Sequence, residues 1–311
     1  YNVRVCFGIY RTDNMNESLS FMCDKASFAV ASIKDDTHSF IAYYDDTMLE
    51  AAIKYKTIVD EFDDAIKAGE FKMYLQPQIS AKTRRLTGAE ALVRRIKPDG
   101  TIISPIDFIP VYEKSGLISR LDRYIWEQAA AKLGEWKKAG INMSISVNIS
   151  PKDFYYIDIF NTFAGLIKKY DIEPSNLKIE ITETTIMSDV PNLMGELEEL
   201  RKAGFTLEMD DFGSGYSSLN TLKDINVDVL KVDMGFIKET KNVKKSRIIL
   251  ASVIKMAKEL NLLIITEGVE TEEQVDNLTK LGCDVFQGYY FSKAIDVNEF
   301  EKRYLYRKKA G

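Results

Sequence analysis

From Phe71 onward the chain alternates short apolar runs with longer amphipathic ones, and this rhythm constrains the fold more than any other feature. The apolar runs cover residues 72–78, 88–93, 143–149, 177–182, 205–210, 229–232, 263–267 and 285–290. Runs of this length read as strands buried on both faces. Between them, apolar residues recur at helical spacing over 120–139, 157–170, 191–203, 243–260, 272–281 and 297–306. Eight strand-like runs with intervening helices, over about 240 residues, predict an α/β fold, a (β/α)8 TIM-like barrel. An open doubly wound sheet is the alternative, disfavoured because no GxGxxG turn follows the first run.

In a barrel of this kind the C-terminal ends of the strands surround one mouth, so the polar residues at those ends carry the argument about chemistry. They are Glu90, Asn148, Glu180, the Asp210–Asp211 pair, Lys231, Glu267 and Gln287. Alone, Asp210-Asp211-Phe212-Gly213 reads equally well as a solvated Asx turn or as a metal-binding edge. The number of similar positions decides between them. Five carboxylates brought together without cations would force several to take up protons, so bound metal is the economical solution. A pair of hard cations about 3.5 to 4 Å apart is the familiar arrangement for attacking a phosphodiester.

Composition narrows the chemistry further. His38, the one histidine, lies in the polar segment Asp35-Asp36-Thr37-His38, far along the chain from the acidic motifs. Serine-histidine and cysteine-histidine mechanisms are therefore excluded unless His38 folds back into the site, and any metal should favour oxygen ligands, as Mg2+ or Mn2+ does. A net charge of −5 argues against a protein that coats polyanions, though not against a pocket for one small phosphorylated ligand. Cys6, Cys23 and Cys283 are odd in number and lack CxxC spacing, and they read as small buried residues. No apolar stretch reaches the roughly 18 to 20 residues of a membrane span, and residues 1–8 do not form a signal peptide, so the chain reads as cytoplasmic.

The same residues carry a resemblance to a known family. Glu90-Ala91-Leu92-Val93-Arg94, Ser146-Val147-Asn148-Ile149-Ser150-Pro151, Glu180-Ile181-Thr182-Glu183, Asp210-Asp211-Phe212-Gly213-Ser214-Gly215-Tyr216, Lys231-Val232-Asp233, Glu267-Gly268-Val269-Glu270-Thr271 and Gln287-Gly288-Tyr289 stand in the order and spacing of EAL domains. The resemblance covers about residues 62–307. It implies a barrel phosphodiesterase that opens the bacterial second messenger cyclic di-GMP to linear pGpG with two Mg2+ or Mn2+ ions, Ca2+ being inhibitory. Such an enzyme lowers a messenger tied to biofilm formation and motility.

Carried over residue by residue, the resemblance implies that Glu90, Asn148, Glu180 and Asp210 hold one metal, with Asp210, Asp211 and Glu267 serving the second. Glu90, Glu267 and Lys231 would be catalytic, Lys231 orienting or helping to deprotonate the attacking water. Gln76, Leu92, Arg94, Asp233, Gln287 and Tyr289 would bind substrate, and Glu270 would hold the Asp-Asp-Phe-Gly loop. Ser214, Ser217 and Ser218 could cap that loop through their hydroxyls, and its Gly-Ser-Gly continuation makes it a candidate moving loop. A homodimer formed through barrel helices near this loop is the implied assembly.

Three positions depart from the family pattern: Arg95 where tryptophan is usual, Ala294 where proline is common, and Glu208 where a small or apolar residue is common. Arg95 could alter packing on the guanine side or contacts with a partner. Glu208 shares a strand face with Asp210, so it adds a carboxylate beneath the expected metal site. Two other functional classes share this barrel, a non-catalytic cyclic di-GMP sensor and a dimerising scaffold. The mark of the sensor is a lost metal ligand or a lost Lys231, and none is lost here.

The first part of the chain reads differently. A strand-like run at 3–10, a polar turn at 14–17, a helical segment at 18–33 and a second strand-like run at 40–44 resemble the C-terminal end of a GGDEF domain, with Cys23-Asp24-Lys25-Ala26 matching its Ala-Asp-x-Ala. No Gly-Gly-Asp-Glu-Phe motif occurs, so synthesis of cyclic di-GMP is not expected. The organisation read from sequence is a GGDEF-like fragment at 1–47, a joining helix at 48–68 and the barrel at 69–311.

Overall fold

A computed structural model describes residues 5–12, 16–33, 39–188, 190, 192–213, 222–223, 225–235 and 243–306. His38, Ser214, Ser217, Ser218 and the Gly-Ser-Gly continuation beyond Gly213 lie outside the described residues, as does part of the 14–17 turn. The chain divides into two compact units, Tyr1–Ala68 and Gly69–Gly311.

In the first unit β1 (Phe7–Ile9) and β2 (Ile41–Tyr43) form a parallel pair, and α1 (Leu19–Ser32) links them. Ser18 caps α1 by accepting from Phe21 N, while Ala29, Ile33 and Ala42 make a small core with Cys6, Tyr44 and Met48 packed on it. Then follow α2 (Asp46–Asp60) and α3 (Phe62–Lys67). Glu61 between them keeps helical dihedrals, donating to Thr57 O and carrying the carbonyl that accepts from Ala65, so the two run on with one loosened residue. The expectation of three buried cysteines fails at Cys23, which is exposed on α1. Cys283 alone is fully buried, its thiol pushed up to about 11 by burial.

The second unit is an eight-stranded closed barrel with helices outside it. Its strands are β3 (Phe71–Ser80), β4 (Leu86–Ile96), β6 (Ile145–Ile149), β7 (Leu177–Thr182), β8 (Leu207–Asp210), β9 (Val229–Asp233), β10 (Leu263–Glu267) and β11 (Val285–Phe286), and β3 pairs with both β4 and β11 to close the ring. Two short strands extend the edges, β5 (Ile102–Ile103) on β4 and β12 (Ile295–Asp296) on β3. Strands β4 and β6 through β11 run parallel, but β3 is antiparallel to both neighbours. The reason is length: residues 81–85 are enough for a hairpin turn and too few for a crossover helix.

The outer layer includes α4 (Pro105–Ser115), α5 (Ile118–Lys138), α6 (Asp153–Tyr156), α7 (Ile159–Tyr170), α8 (Glu183–Ile186), α9 (Leu193–Lys202), α10 (Val243–Glu259), α11 (Glu272–Leu281) and α12 (Val297–Phe300). The amphipathic α5 buries Leu121, Ile125, Trp126, Ala129 and Leu133, and Trp126 meets Phe163 with ring centroids 4.8 Å apart. Thr271 and Gln274 form a capping box that starts α11. The last strand departs from its expected length of 285–290. It stops at Phe286, because Gly288 turns the chain at φ 156°, where a Cβ would run into the backbone of Val269. Among the described residues no helix is long and apolar enough to cross a membrane.

Candidate active site

Strand period places Asn148, Glu180, Asp210, Lys231 and Glu267 on the inward face of β6 to β10, Asp210 and Glu267 at the C-terminal ends of their strands and the other three within two residues of theirs. The inverted β3 contributes from mid-strand instead, with Gln76 in register opposite Glu90 on β4. Closure of the barrel then brings these side chains together.

Lys231 stands at the centre, fully buried. Its Nζ lies 2.7 Å from Glu267 Oε1, 3.4 Å from Asp210 Oδ1 and 3.6 Å from Glu90 Oε2, and it also contacts Glu180 Oε1. Glu90 accepts from Asn148 Nδ2 at 3.4 Å and from Gln287 Nε2. Gln287 is itself held by Gln78, whose Nε2 donates to Gln287 Oε1 at 3.2 Å, and it donates to Gln76 Oε1 at 3.4 Å. Trp126 Nε1 donates to the backbone carbonyl of Asn148 at 2.9 Å, tying α5 to the end of β6. These bonds lock the orientation of the amides and of Glu90 before any ligand arrives.

The electrostatics are unbalanced. One lysine faces four carboxylates, with Asp211 at the exposed rim. Burial, followed by the charges of Glu267, Glu90 and Asp211, holds the Asp210 carboxyl well above its ordinary range. Burial also raises Glu267, an effect that Lys231 opposes and Glu90 reinforces. Asp211 is raised by partial burial and by Asp233, Glu90 and Glu183. Asp211 also has φ 55°, the left-handed region, which an aspartate tolerates as the chain turns away from β8.

The donor set fits a hard divalent cation. Glu90, Glu180 and Glu267 each offer a carboxylate oxygen, and these oxygens lie within 4.8 Å of one another. Glu180 Oε2 is shielded from solvent and makes no hydrogen bond, which is costly for a carboxylate unless a cation satisfies it.

Above this cluster are two cavities. One of about 400 Å³ is lined by Gln76, Glu90, Leu92, Asp233, Glu267, Glu270, Gln287 and Tyr289, among others. A second of about 560 Å³ is lined by Leu92, Arg94, Asn148, Ser150, Pro151 and neighbouring apolar side chains. Leu92 borders both. Arg94 donates to the Val93 carbonyl at 2.7 Å, and Asp233 Oδ1 accepts from Gly235 N at 2.6 Å. Tyr289 is 63% exposed beside Lys293.

Sequence reasoning missed four supporting residues. Glu183, fully buried, accepts from Gly213 N at 3.4 Å and so anchors the turn after Asp211. Its signal was its place in the Glu180-Ile181-Thr182-Glu183 motif. Gln78 and Trp126 carried no signal beyond their elements. Lys178 is the fourth: its Nζ donates to Glu208 Oε1 at 2.9 Å, so Glu208 is not an isolated carboxylate beneath the site. Arg95 turns away from both cavities. Its Nε donates to Glu70 at 2.9 Å, and its guanidinium lies over Phe71.

Comparison with known proteins identifies the family. A family model described as EAL domain matches residues 59–294. The signaling protein YkoW of Bacillus subtilis (strain 168) is 34% identical over 278 residues, 89% of this chain and 35% of that protein. MucR of Pseudomonas aeruginosa, a bifunctional diguanylate cyclase/cyclic di-GMP phosphodiesterase, is 30% identical over 275 residues, 88% of this chain and 40% of that protein. The solved c-di-GMP complex of the PaMucR phosphodiesterase superposes with a TM-score of 0.73 at 32% identity, covering 78% of this chain and 99% of that one. The chain thus spans little more than a third of the length of these two curated relatives.

Proposed function

The chain belongs to the EAL domain family, and from that premise we propose that it hydrolyses cyclic di-GMP to linear pGpG, lowering the level of this messenger in the bacterial cytoplasm. The observation that carries the reading is the buried Lys231 among Glu90, Glu180, Asp210 and Glu267 beneath the two adjoining cavities. Relatives named as cyclic di-GMP phosphodiesterases support it.

In this reading Glu90, Asn148, Glu180 and Asp210 hold one Mg2+ or Mn2+, and Asp210, Asp211 and Glu267 hold a second, with Ca2+ inhibitory. When bound, such ions polarise a phosphoryl oxygen and make water a stronger nucleophile. The remaining work belongs to the chain. Water gives up a proton as its oxygen adds to phosphorus, the bond from phosphorus to the 3′ oxygen breaks, and that oxygen takes up a proton. Lys231, fixed by its carboxylate partners, supplies a positive charge beneath the reacting phosphate and orients the attacking water. Arg94 suits a phosphodiester oxygen because its guanidinium fork can donate two hydrogen bonds. Gln76, Leu92, Asp233, Gln287 and Tyr289 bind the rest of the dinucleotide across the cavities, Leu92 standing where the two meet. Glu270 borders the smaller cavity and, with Glu183, holds the loop that follows Asp211. A homodimer belongs to the same reading, and light scattering of the purified chain tests it.

Chromatography of cyclic di-GMP incubated with the chain and Mg2+ or Mn2+ tests the reaction. The expected result is conversion to pGpG, abolished in Glu90→Ala and in Lys231→Ala. Tight binding without product under either metal overturns it in favour of a binding module.

A further inference from the structure

Beneath the site carboxylates lies a second buried polar group. Glu208 is fully buried and both its oxygens are engaged: Oε1 accepts from Lys178 Nζ at 2.9 Å and Oε2 from Ser146 Oγ at 2.8 Å. These residues stand on the adjacent strands β6, β7 and β8, each two positions before a site residue. Ser146 precedes Asn148, Lys178 precedes Glu180 and Glu208 precedes Asp210. Three further strands are apolar at this level. Val229, Ile265 and Val285 form one cluster, two positions before Lys231, Glu267 and Gln287.

At this level β6, β7 and β8 thus carry a polar set and β9, β10 and β11 a hydrocarbon one, with Gln78 of β3 opposite Gly88 of β4 between them, and the polar set lies under the strands that carry Asn148, Glu180 and Asp210. Desolvating an ion pair is costly, and a buried pair is weak evidence for stability on its own. Its placement suggests a different use. Two residues along a strand are only about 7 Å, so a net charge at this level acts on whatever the site holds. With Lys178 and Glu208 both present the floor is neutral, and the one carboxylate spans β6 to β8, fixing their mutual register.

We propose that Glu208, Lys178 and Ser146 are a positioning set for the reaction, which aligns β6, β7 and β8 and balances the charge under the metal-holding carboxylates. The proposal rests on the metal-dependent reading above. It explains how the chain accommodates a glutamate two residues below Asp210: a lysine on the neighbouring strand answers it. Neither residue touches the substrate cavities, so both act through the residues above them.

Calorimetric titration of the full chain with Mn2+ alone, without substrate, tests the proposal. Glu208→Gln keeps the shape and the Ser146 hydrogen bond but leaves the Lys178 charge unanswered. Mn2+ affinity should fall about tenfold. Lys178→Gln leaves the Glu208 charge unanswered and should raise affinity. The double variant restores neutrality and should return affinity to within about twofold of the parent chain, by cancellation of the two opposed charges. Equal-sign shifts in the two single variants, or a double variant worse than either, would reduce the set to a strut and overturn the charge-balance assignment, as would no shift at all. Should Glu208→Gln fail to fold, the sign of the Lys178→Gln shift decides alone. Turnover of the parent chain is followed in parallel. Mn2+ binding without turnover rejects the enzymatic reading and leaves this test intact, while absence of Mn2+ binding rejects both.

Discussion

Each site residue reaches its task through a neighbour that orients it. Gln287 is gripped by Gln78 before it reaches Glu90, and Asn148 is steadied through its carbonyl by Trp126. Glu183 is the case with the sharpest consequence, because Gly213 N donates to its Oε2 at 3.4 Å just past the Asp210–Asp211 pair. Removing that acceptor frees the turn, and a displacement of about 1 Å at a catalytic group costs about a hundredfold in rate. Glu183→Ala should therefore lower kcat by at least tenfold and raise the Mg2+ concentration needed for half-maximal rate. Glu183→Gln, which keeps an accepting oxygen, should recover most of the loss. Steady-state kinetics across Mg2+ concentrations measures both. Equal damage from the two variants would show that the charge, not the hydrogen bond, matters.

Among the elements, the inverted first strand is the feature that shapes the mouth. Because β3 and β4 form a hairpin, Gln76 and Glu90 sit directly opposite each other, and their shared register has to survive at the outer end of the pair, where Phe71 opposes Arg95. There Arg95, only 3% exposed, is clamped to Glu70 and lies 5.7 Å over the Phe71 ring. Breaking a buried pair by removing one partner typically costs about 3 to 5 kcal/mol. Arg95→Ala should lose about 3 kcal/mol in urea unfolding, with the KM for cyclic di-GMP changed less than twofold. A large KM effect would instead mean that Arg95 reaches the substrate. Element positions were mostly legible in advance: β7, β10 and α11 have the expected bounds, since sustained periodicity and good caps act locally. The last strand was overextended because Val285-Phe286-Gln287-Gly288-Tyr289-Tyr290 reads as one apolar run, and only the approach of Gly288 to the Val269 backbone cuts it short.

For the whole molecule, the collected carboxylates make stability depend on pH and on cations. In the folded state Asp210 is raised by burial and by Glu267 and Glu90, and Glu267 by burial and Glu90 against the opposing Lys231, whereas in the unfolded chain they titrate at about 3.9 and 4.3. Across the window above those values the folded state holds more protons than the unfolded one, so stability falls as pH rises through the folded-state titration. The melting temperature in EDTA should accordingly decline from about pH 5 to pH 8, and Mg2+ or Mn2+ added at pH 8 should recover it by binding the folded state. A melting temperature that is flat or rising with pH in EDTA would contradict the assignment. By itself the sequence determined the alternation of strands and helices, the acidic strand ends and the family likeness, because strand period and cap chemistry are local. Only the tertiary structure decided the balance of charge. Lys231 meets carboxylates from four other strands, and Glu208 is answered by Lys178 on β7 and Ser146 on β6, partners that closure of the barrel selects and that spacing along the chain does not reveal.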